Sequence, residues 1–276
     1  MEQPLPPGLY IVATPIGNLS DLSARAAETL RRADLILAED KRVTAKLLAY
    51  AGAKAPMATY HDHSSEDDRR RALGAIAGRA VALVSDAGTP LISDPGYKLV
   101  RAAREAGMPV FTVPGPCAAI AALTVAGLPT DRFLFAGFLP AKSKARRDAI
   151  AELGGVRASL VLYETGPRLG EALADLAHGL GSRDAAVVRE ISKLHEESIS
   201  GTLADLSERY ANAAPKGEIV IVIGPPPERR ASEEDLDAAL HRALADLSPS
   251  RAAAEVAEQL GVPKKRAYAR ALELSR

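Results

Sequence analysis

Residues 80–107 read AVALVSDAGTPLISDPGYKLVRAAREAG, and this stretch decides the fold class. The first five residues are apolar and predict a buried strand, whereas residues 97–107 have helical spacing and end on a glycine. Between them lie twelve residues rich in glycine, proline, serine and aspartate, a connection longer than is usual. Because open α/β sheets bind ligands where their strands end, residues 85–96 are predicted to form a ligand-binding loop. An ordinary surface connection is the alternative.

Apolar runs and helical segments alternate on both sides of this loop, which is typical of a mainly parallel sheet. The fold class is therefore α/β. We predict an N-terminal α/β domain over residues 1–113, a second α/β domain over 114–225 and a helical appendage over 226–276. The strands predicted from apolar runs are residues 9–13, 35–38, 56–61, 80–84, 110–113, 133–138, 159–163, 185–191, 197–201 and 218–223.

Composition excludes several classes of protein. The 276 residues include 35 basic and 35 acidic side chains, so no net charge favours nucleic acid or a membrane surface, and a basic partner site must be local. A single cysteine, Cys117, excludes an internal disulfide and is typical of a reducing compartment. The N-terminal residues lack the pattern of a signal peptide, and no apolar window reaches 18 residues. We therefore expect a cytoplasmic protein without a membrane span.

Three further segments carry candidate binding chemistry. Residues 14–21 (TPIGNLSD) join the first strand to the first helix and contain only one glycine, so a dinucleotide fingerprint is not supported. Residues 114–119 (PGPCAA) begin a helix of small residues that admits a bulky ligand or a closely packed neighbour. Residues 61–63 (His-Asp-His) lack a third metal ligand and favour a surface loop. No metal is expected.

Basic residues cluster in two places despite the neutral total charge. Residues 141–147 (AKSKARR) carry four cations and no acid. Residues 253–272 have helix-turn-helix spacing around Gly261, and the second helix carries further cations, as a recognition helix would. Both clusters are predicted to bind nucleic-acid phosphates, with solubilising helix faces as the alternative. The predicted phosphate-binding residues, which the resemblance described below makes RNA-binding residues, are Lys142, Lys144, Arg146, Arg147, Lys264, Lys265 and Arg266.

Taken together, seven motifs occur in an order that resembles one family. These are TPIGNLSD, AEDKR (38–42), SDAGTPLISDPG, PGPCAAIAAL (114–123), FAGFLP (135–140), REISKLHEE (189–197) and GEIVIVIG (217–224). The chain resembles the bacterial 16S rRNA cytidine 2′-O-methyltransferases, which belong to the tetrapyrrole methylase-like, class III S-adenosylmethionine-dependent superfamily. The resemblance covers residues 9–224 and extends into the tail.

The resemblance implies two α/β domains with S-adenosylmethionine in the cleft between them, a homodimer, and 16S rRNA or the small ribosomal subunit as substrate. Donor contacts carried over from the superfamily are Pro15, Asp86, Gly88, Thr89, Cys117, Ala118, and Leu162 or Tyr163. The sequence departs from the family at Lys41, where threonine is usual, and at residues 165–168, where Thr-Gly-Pro-Arg replaces Ser-Pro-His-Arg. No role of that histidine is transferred.

Methyl transfer to a ribose hydroxyl needs an aligned oxygen and a group that assists its deprotonation. Glu190 and Lys193 are the first candidates, followed by Asp40 and Arg42. Two rival functions remain open from the sequence. One is C-methylation of a tetrapyrrole. The other belongs to a different class, a DNA-binding regulator that senses the methyl donor through the C-terminal helices.

Overall fold

The computed structural model describes residues 4–61, 64–227 and 233–275. The chain forms two compact units that divide after residue 226. The first contains both predicted α/β regions, and the second is helical. The predicted division of the first unit after residue 113 stays a prediction. Among the described residues, no helix combines the length and apolar character needed to cross a membrane.

The first sheet is entirely parallel, as the alternating pattern predicts. Its order is β3-β2-β4-β1-β5, so β1 and β4 are central neighbours and the loops that follow them meet. The strands are β1 (Gly8–Val12), β2 (Leu35–Ala38), β3 (Met57–Thr59), β4 (Ala80–Val84) and β5 (Val110–Val113). The helices are α1 (Ala24–Arg32), α2 (Lys41–Ala51), α3 (Glu66–Ile76) and α4 (Tyr97–Glu105).

Both faces of this sheet are covered, because successive residues of each strand point to opposite sides. Leu9 belongs to one apolar cluster and its neighbour Tyr10 to another. Every residue of β4 is buried. Serine residues begin two of the covering helices: Ser23 accepts from the Ala26 N–H, and Ser65 forms a reciprocal capping pair with Asp68.

The second sheet is mixed, whereas the sequence pattern predicted a mainly parallel sheet. Its order is β6-β7-β10-β8-β9; β6 and β7 are parallel and the other pairs antiparallel. The predicted pairing of residues 185–191 with 197–201 is confirmed. The strands are β6 (Phe133–Phe138), β7 (Ser159–Thr165), β8 (Asp184–Arg189), β9 (Glu197–Thr202) and β10 (Glu218–Ile223). The helices are α5 (Ala118–Val125), α6 (Ser143–Leu153), α7 (Gly166–Leu180) and α8 (Leu203–Tyr210).

An irregularity in the edge strand β6 changes which residues share a face. Phe135 pairs with Val161, but Gly137 pairs with Leu162, so one extra residue lies between the two pairs. Gly137 has φ +64°, a left-handed conformation that glycine adopts without strain. The insertion is a β-bulge, and it brings Phe138 opposite Tyr163.

The C-terminal unit consists of α9 (Glu233–Leu244), α10 (Pro249–Leu260) and α11 (Lys264–Leu274) around a small core that includes Leu240 and Val256. Gly261 ends α10 in the left-handed conformation, and Pro263 precedes α11. The predicted pair of helices around Gly261 is therefore confirmed. Arg270 binds both carboxylate oxygens of Asp237 at 2.6 Å and ties α11 to α9.

Candidate active site

A cleft of about 360 Å³ lies where the strands of the first sheet end and the second sheet begins. Two loops of the first sheet are joined at its base. The Thr14 N–H donates to the Gly88 carbonyl at 2.8 Å, and the Gly88 N–H donates to the Thr14 carbonyl at 3.1 Å. The loop after β1 and the long loop after β4 therefore form one surface, as their adjacent strands require.

The long loop approaches the ligand space closely with its backbone at Gly88. Gly88 has φ +80°, and a Cβ there would lie 3.3 Å from Ile16 Cγ2. Thr89 Oγ1 donates to the Pro116 carbonyl at 2.9 Å and ties this loop to the segment before α5. Glycine and hydrogen-bonded threonine thus hold the loop close against its neighbours. We call residues 85–94, with Ile16, Cys117 and Ala118, the backbone wall.

Backbone strain is concentrated in the same region. Among the described residues other than glycine, positive φ occurs at Leu91, Ser93, Glu190 and Ser192. Each such conformation costs about 1–3 kcal/mol and persists where the surrounding structure imposes it. Two of these residues lie in the long loop and two in the turn after β8. Both segments border the cleft, since Ser93 and Ile191 line it.

The second sheet supplies the opposite side of the cleft through side chains, which we call the side-chain wall: Phe138, Tyr163, Glu164, Thr165, Ile191 and Glu218 to Val220. The Tyr163 hydroxyl accepts a hydrogen bond from the Ala119 N–H at 3.2 Å and so joins β7 to the start of α5. Burial, followed by the adjacent Cys117, raises the pKa of Tyr163 far above its usual value. Tyr163 is therefore a neutral wall residue rather than a base.

Glu164 is a buried carboxylate at the end of β7, with its side chain 1% exposed. Its Oε1 accepts from the Thr165 N–H at 2.8 Å and lies 3.3 Å from Arg168 Nε. Its Oε2 is buried without a hydrogen-bond partner from the described residues. An unsatisfied buried oxygen is costly unless a ligand donates to it.

The turn after β8 joins the two halves of the first unit. Lys193 Nζ donates to Glu190 Oε1 and to Glu218 Oε2, both at 2.9 Å. The stem of Lys193 covers Gly17, where a Cβ would lie 2.4 Å from its Cγ. Ser192 Oγ donates to Asp21, just after the first loop. We call residues 190–196 the clasp.

Electrostatics in the clasp argue against both first candidates as a general base. The hydrogen bond from Lys193 is the main cause that lowers the pKa of Glu190. Burial acts to lower the pKa of Lys193, but its bonds to Glu218 and Glu190 outweigh burial and raise it. At neutral pH the pair is therefore an ammonium and a weakly basic carboxylate.

Six of the eight predicted donor-binding residues line the cleft: Asp86, Gly88, Thr89, Cys117, Ala118 and Tyr163. The other two do not line it, and their contact with the donor stays a prediction. Leu162 is fully buried in the core on the opposite face of β7 from Tyr163, because neighbouring residues of a strand alternate. Pro15 is half-buried and precedes Ile16, which lines the cleft in its place.

None of the four predicted catalytic residues lines the cleft. Glu190 and Lys193 lie behind Glu218 in the clasp. Asp40 begins α2 and binds Arg42, whose side chain is 90% exposed, and the Asp40 N–H donates to Asp86 Oδ1 at 3.0 Å. These contacts place Asp40 beside the cleft, one residue away from the lining.

The structure corrects one member of the first basic cluster. Arg146 is buried, and its guanidinium binds Asp175 at 2.7 Å and Glu171 at 3.1 Å, so it is not available to RNA. Lys144 is exposed and pairs with Asp148 on the same helix. Lys142 and Arg147 are exposed, as are Lys264, Lys265 and Arg266 on α11. Their roles stay predictions.

Sequence reasoning missed most of the side-chain wall. Glu164 lies near the end of the apolar strand β7, and Glu218 begins the apolar strand β10. A charged residue next to an apolar run was the signal that could have identified both. Phe138 belongs to the motif FAGFLP (135–140), but the sequence alone indicated no role for it. The structure forms no cluster of three or more metal-ligating side chains within the described residues, and Asp62 and His63 of the His-Asp-His segment lie outside them.

The lining matches the chemistry of a cationic methyl donor. Among the described residues that line the cleft, five carry carboxylates and none is basic. A sulfonium and an ammonium group complement such a surface. Gly88 leaves the space that a Cβ would fill. The carboxylates are Glu39, Asp86, Asp94, Glu164 and Glu218.

Comparison with known proteins agrees with this geometry. The tetrapyrrole (corrin/porphyrin) methylase family matches residues 8–207, and the RsmI C-terminal HTH domain matches residues 230–275. A ribosomal RNA small subunit methyltransferase I from Erythrobacter litoralis is 55% identical over 99% of this chain and 97% of its own length. The chain belongs to the tetrapyrrole (corrin/porphyrin) methylase family. The corresponding protein of Escherichia coli O157:H7 is 46% identical over 96% of this chain and 94% of its own length.

Solved structures show the same fold at low identity. A uroporphyrin-III C-methyltransferase from Thermus thermophilus has a TM-score of 0.56 at 24% identity, covering 78% of this chain and 93% of its own. A second structure of that enzyme, complexed with S-adenyl homocysteine, has a TM-score of 0.54 at 22% identity, covering 79% and 97%. The predicted α/β fold class with a helix-turn-helix appendage is confirmed.

The family places the chain among S-adenosylmethionine-dependent methyltransferases, which confirms the predicted cofactor and enzyme class. The resemblance stated from the motifs is likewise confirmed by full-length relatives that carry the rRNA methyltransferase name. Neither rival function matches those relatives: their names contain neither a tetrapyrrole substrate nor a DNA-binding regulator.

Proposed function

We propose that this chain transfers a methyl group from S-adenosylmethionine to the 2′-oxygen of a cytidine ribose in 16S rRNA. The observation that carries the proposal is the acidic cleft between the backbone wall and the side-chain wall, in a chain whose full-length relatives are rRNA methyltransferases. The proposed substrate is the rRNA or the small ribosomal subunit, and a cytoplasmic location is proposed with it. The homodimer expected from the resemblance stays a prediction, and light scattering tests it.

The donor would be held mainly by the backbone wall. Gly88 and Thr89 approach from one side, and Cys117 and Ala118 begin α5 from another. Because the Cys117 side chain forms no cap hydrogen bond, the first N–H groups of α5 other than that of Ala119, together with the positive helix end, favour the donor's carboxylate. When bound, S-adenosylmethionine supplies an electrophilic methyl carbon, and a carbon–oxygen bond forms as the carbon–sulfur bond breaks.

We assign the role of proton acceptor to Glu218. It lines the cleft, its side chain is 77% exposed, and Lys193 fixes one of its oxygens at 2.9 Å. A carboxylate that is both accessible and oriented can take the 2′-hydroxyl proton as the oxygen attacks. Glu190 and Lys193 then act through Glu218 as positioning residues. A direct role of Asp40 or Arg42 stays a prediction.

RNA phosphates would be held outside the cleft. The lining offers five carboxylates and no cation among the described residues, so it repels a phosphate. Exposed cations elsewhere must therefore supply the electrostatic attraction that dominates binding to a nucleic acid. The proposed set is Lys142, Lys144, Arg147, Lys264, Lys265 and Arg266.

The proposal predicts where a transferred label appears. With labelled S-adenosylmethionine and undermethylated 30S subunits or naked 16S rRNA, label should appear in one nucleoside that migrates as 2′-O-methylcytidine after digestion. Label on a base, or on an added tetrapyrrole and not on RNA, would overturn it. Sequence-specific binding to duplex DNA without turnover would instead support the regulator.

Glu218→Gln should lower kcat by about 10²- to 10⁴-fold, because the amide cannot accept the proton. The donor dissociation constant, measured by calorimetry, should stay within about twofold of the parent. Glu208→Gln is the matched control, since Glu208 is an exposed glutamate on α8 outside the cleft. Equal kcat in the two variants would exclude Glu218 as the acceptor.

A further inference from the structure

Phe138 is an aromatic side chain that the proposed reaction leaves without a role. It is one of four phenylalanines in the chain, its side chain lines the cleft, and it is 51% exposed. Its ring packs edge-to-face against Tyr163, with ring centroids 5.6 Å apart and an interplanar angle of 65°. Leaving such a ring half-exposed forfeits stabilisation that burial would give.

The β-bulge in β6 is what places this ring in the cleft. If residues 135–138 paired one to one with the strand that begins at Val161, without a bulge, Phe138 would lie opposite Glu164, on the opposite side of the sheet from Tyr163. With the bulge, Phe135 and Phe138 both contact Tyr163. Bulges next to active sites serve to re-aim a side chain in this way.

The backbone wall reaches the same bulge. A Cβ on Gly137 would lie 3.2 Å from Ser93 Oγ, in the strained part of the long loop. Phe138 therefore lies where the two walls meet, against Tyr163. A ligand at this position meets a fixed aromatic surface bordered by polar groups.

We propose that Phe138 is the stacking platform for the nucleobase of the target cytidine, which leaves the RNA stack to enter the cleft. This inference rests on the proposed function. The acidic cleft lining disfavours a phosphate group, whereas a cytosine ring is planar and uncharged. Bases that are splayed out of RNA are held by aromatic stacking, and enzymes that modify a nucleotide extrude it into a pocket.

The test compares Phe138→Ala with Phe133→Ala. Phe133 is the same residue type on the same strand, is 44% exposed and does not line the cleft. With 30S subunits as substrate, Phe138→Ala should lower kcat/KM by about 5- to 150-fold, the range for loss of one stacked base. Phe138→Trp should retain or restore activity, whereas Phe133→Ala should stay within about twofold.

A fluorescence measurement tests the stacking directly. The chain contains no tryptophan, so Phe138→Trp and Phe133→Trp each introduce a single reporter. With S-adenosylhomocysteine present, a cytidine-containing RNA fragment of the target helix should quench the reporter at 138 and leave the reporter at 133 unchanged. Calorimetry with the donor analogue and circular dichroism show that each variant is folded.

Three outcomes would overturn the inference. The first is kcat/KM of Phe138→Ala within twofold of an active parent. The second is an equal loss of donor affinity, which would place Phe138 in the donor site. The third is an equal loss in Phe133→Ala with a changed oligomeric state, which would make this strand edge an interface. A parent that labels no RNA refutes the proposed function itself, and the inference with it.

Discussion

The two walls of the cleft are built in different ways. The backbone wall comes from loops after parallel strands, where Gly88 and Thr89 are fixed by main-chain contacts. The side-chain wall comes from strands of a mixed sheet and presents Phe138, Tyr163 and Glu218. Main-chain contacts tolerate changes of side chain, whereas a side-chain surface changes with each substitution. The backbone wall is therefore suited to the methyl donor, which the family shares, and the side-chain wall to a specific methyl acceptor.

The largest expected effect is the loss of donor affinity when the backbone wall is altered. Gly88→Val places a branched side chain at φ +80° with a Cβ 3.3 Å from Ile16, so donor affinity should fall by about tenfold to a hundredfold. Calorimetry with S-adenosylmethionine measures it.

Gly107→Val is the control for this prediction. Gly107 has φ +68° but no atom within 4 Å of its would-be Cβ, so it shares the backbone strain without the contact. If both variants bind the donor equally well while folded, the long loop does not form a donor wall and the comparison fails.

A smaller effect is expected on RNA binding alone. Replacing Lys142, Lys144 and Arg147 with glutamine, or replacing residues 264–266, should weaken RNA binding and reduce its salt dependence by about 0.7–0.9 of slope per lost phosphate contact. Donor affinity should not change. Salt titrations of both variants beside the parent measure the slope.

Arg146→Gln provides the contrast in the same titration. Because Arg146 is buried against Asp175 and Glu171, its loss leaves acids without their partner and should lower Tm while leaving the slope unchanged. Superimposable slopes for the parent and both multiple variants would show that RNA is held by the cleft alone.

The smallest effect concerns Asp40, beside the backbone wall. Its hydrogen bonds to Arg42 lower the pKa of Asp40 to about 2 from 3.8. A lowered folded-state pKa gives stability that is present above the unfolded value and lost as pH falls from about 4 to 2. The group is exposed, so the effect is small and weakens with salt.

Asp40→Asn isolates that charge, because asparagine also caps a helix. The difference in Tm between the parent and Asp40→Asn should shrink as pH falls through this window. A difference that stays constant from pH 5 to pH 2 would mean that the Asp40 carboxylate contributes nothing through its charge.

Much of the fold followed from local pattern. β2, β4, β5, β6 and β10 have the predicted bounds, because each is an apolar run closed by polar, glycine or proline residues. The strand directions in the second sheet could not be predicted from local pattern, since antiparallel pairing depends on contacts between distant strands. The first helix is capped by Ser23, while Asp21 lies in a 3-10 turn and binds Ser192, a contact that no local pattern indicates.

The backbone wall was easier to predict than the side-chain wall for a physical reason. Glycine and proline mark backbone conformation directly, so Gly88 was visible in the sequence. Glu164 and Phe138 reach the cleft only through strand register, which no local pattern specifies. Arg146 likewise had the sequence pattern of a surface cation, because its partners Asp175 and Glu171 lie on the next helix, α7.

The bulge at Gly137 makes chain length at this position as important as residue identity. Deleting one residue between Phe135 and Phe138 would remove the bulge and keep the Phe138 ring opposite Tyr163, whereas inserting one residue there would turn the ring to the face that carries Leu162. Homologous chains that keep this reaction should therefore tolerate a one-residue deletion here more readily than a one-residue insertion. A relative with a one-residue insertion in this part of the strand would have to find its aromatic surface elsewhere.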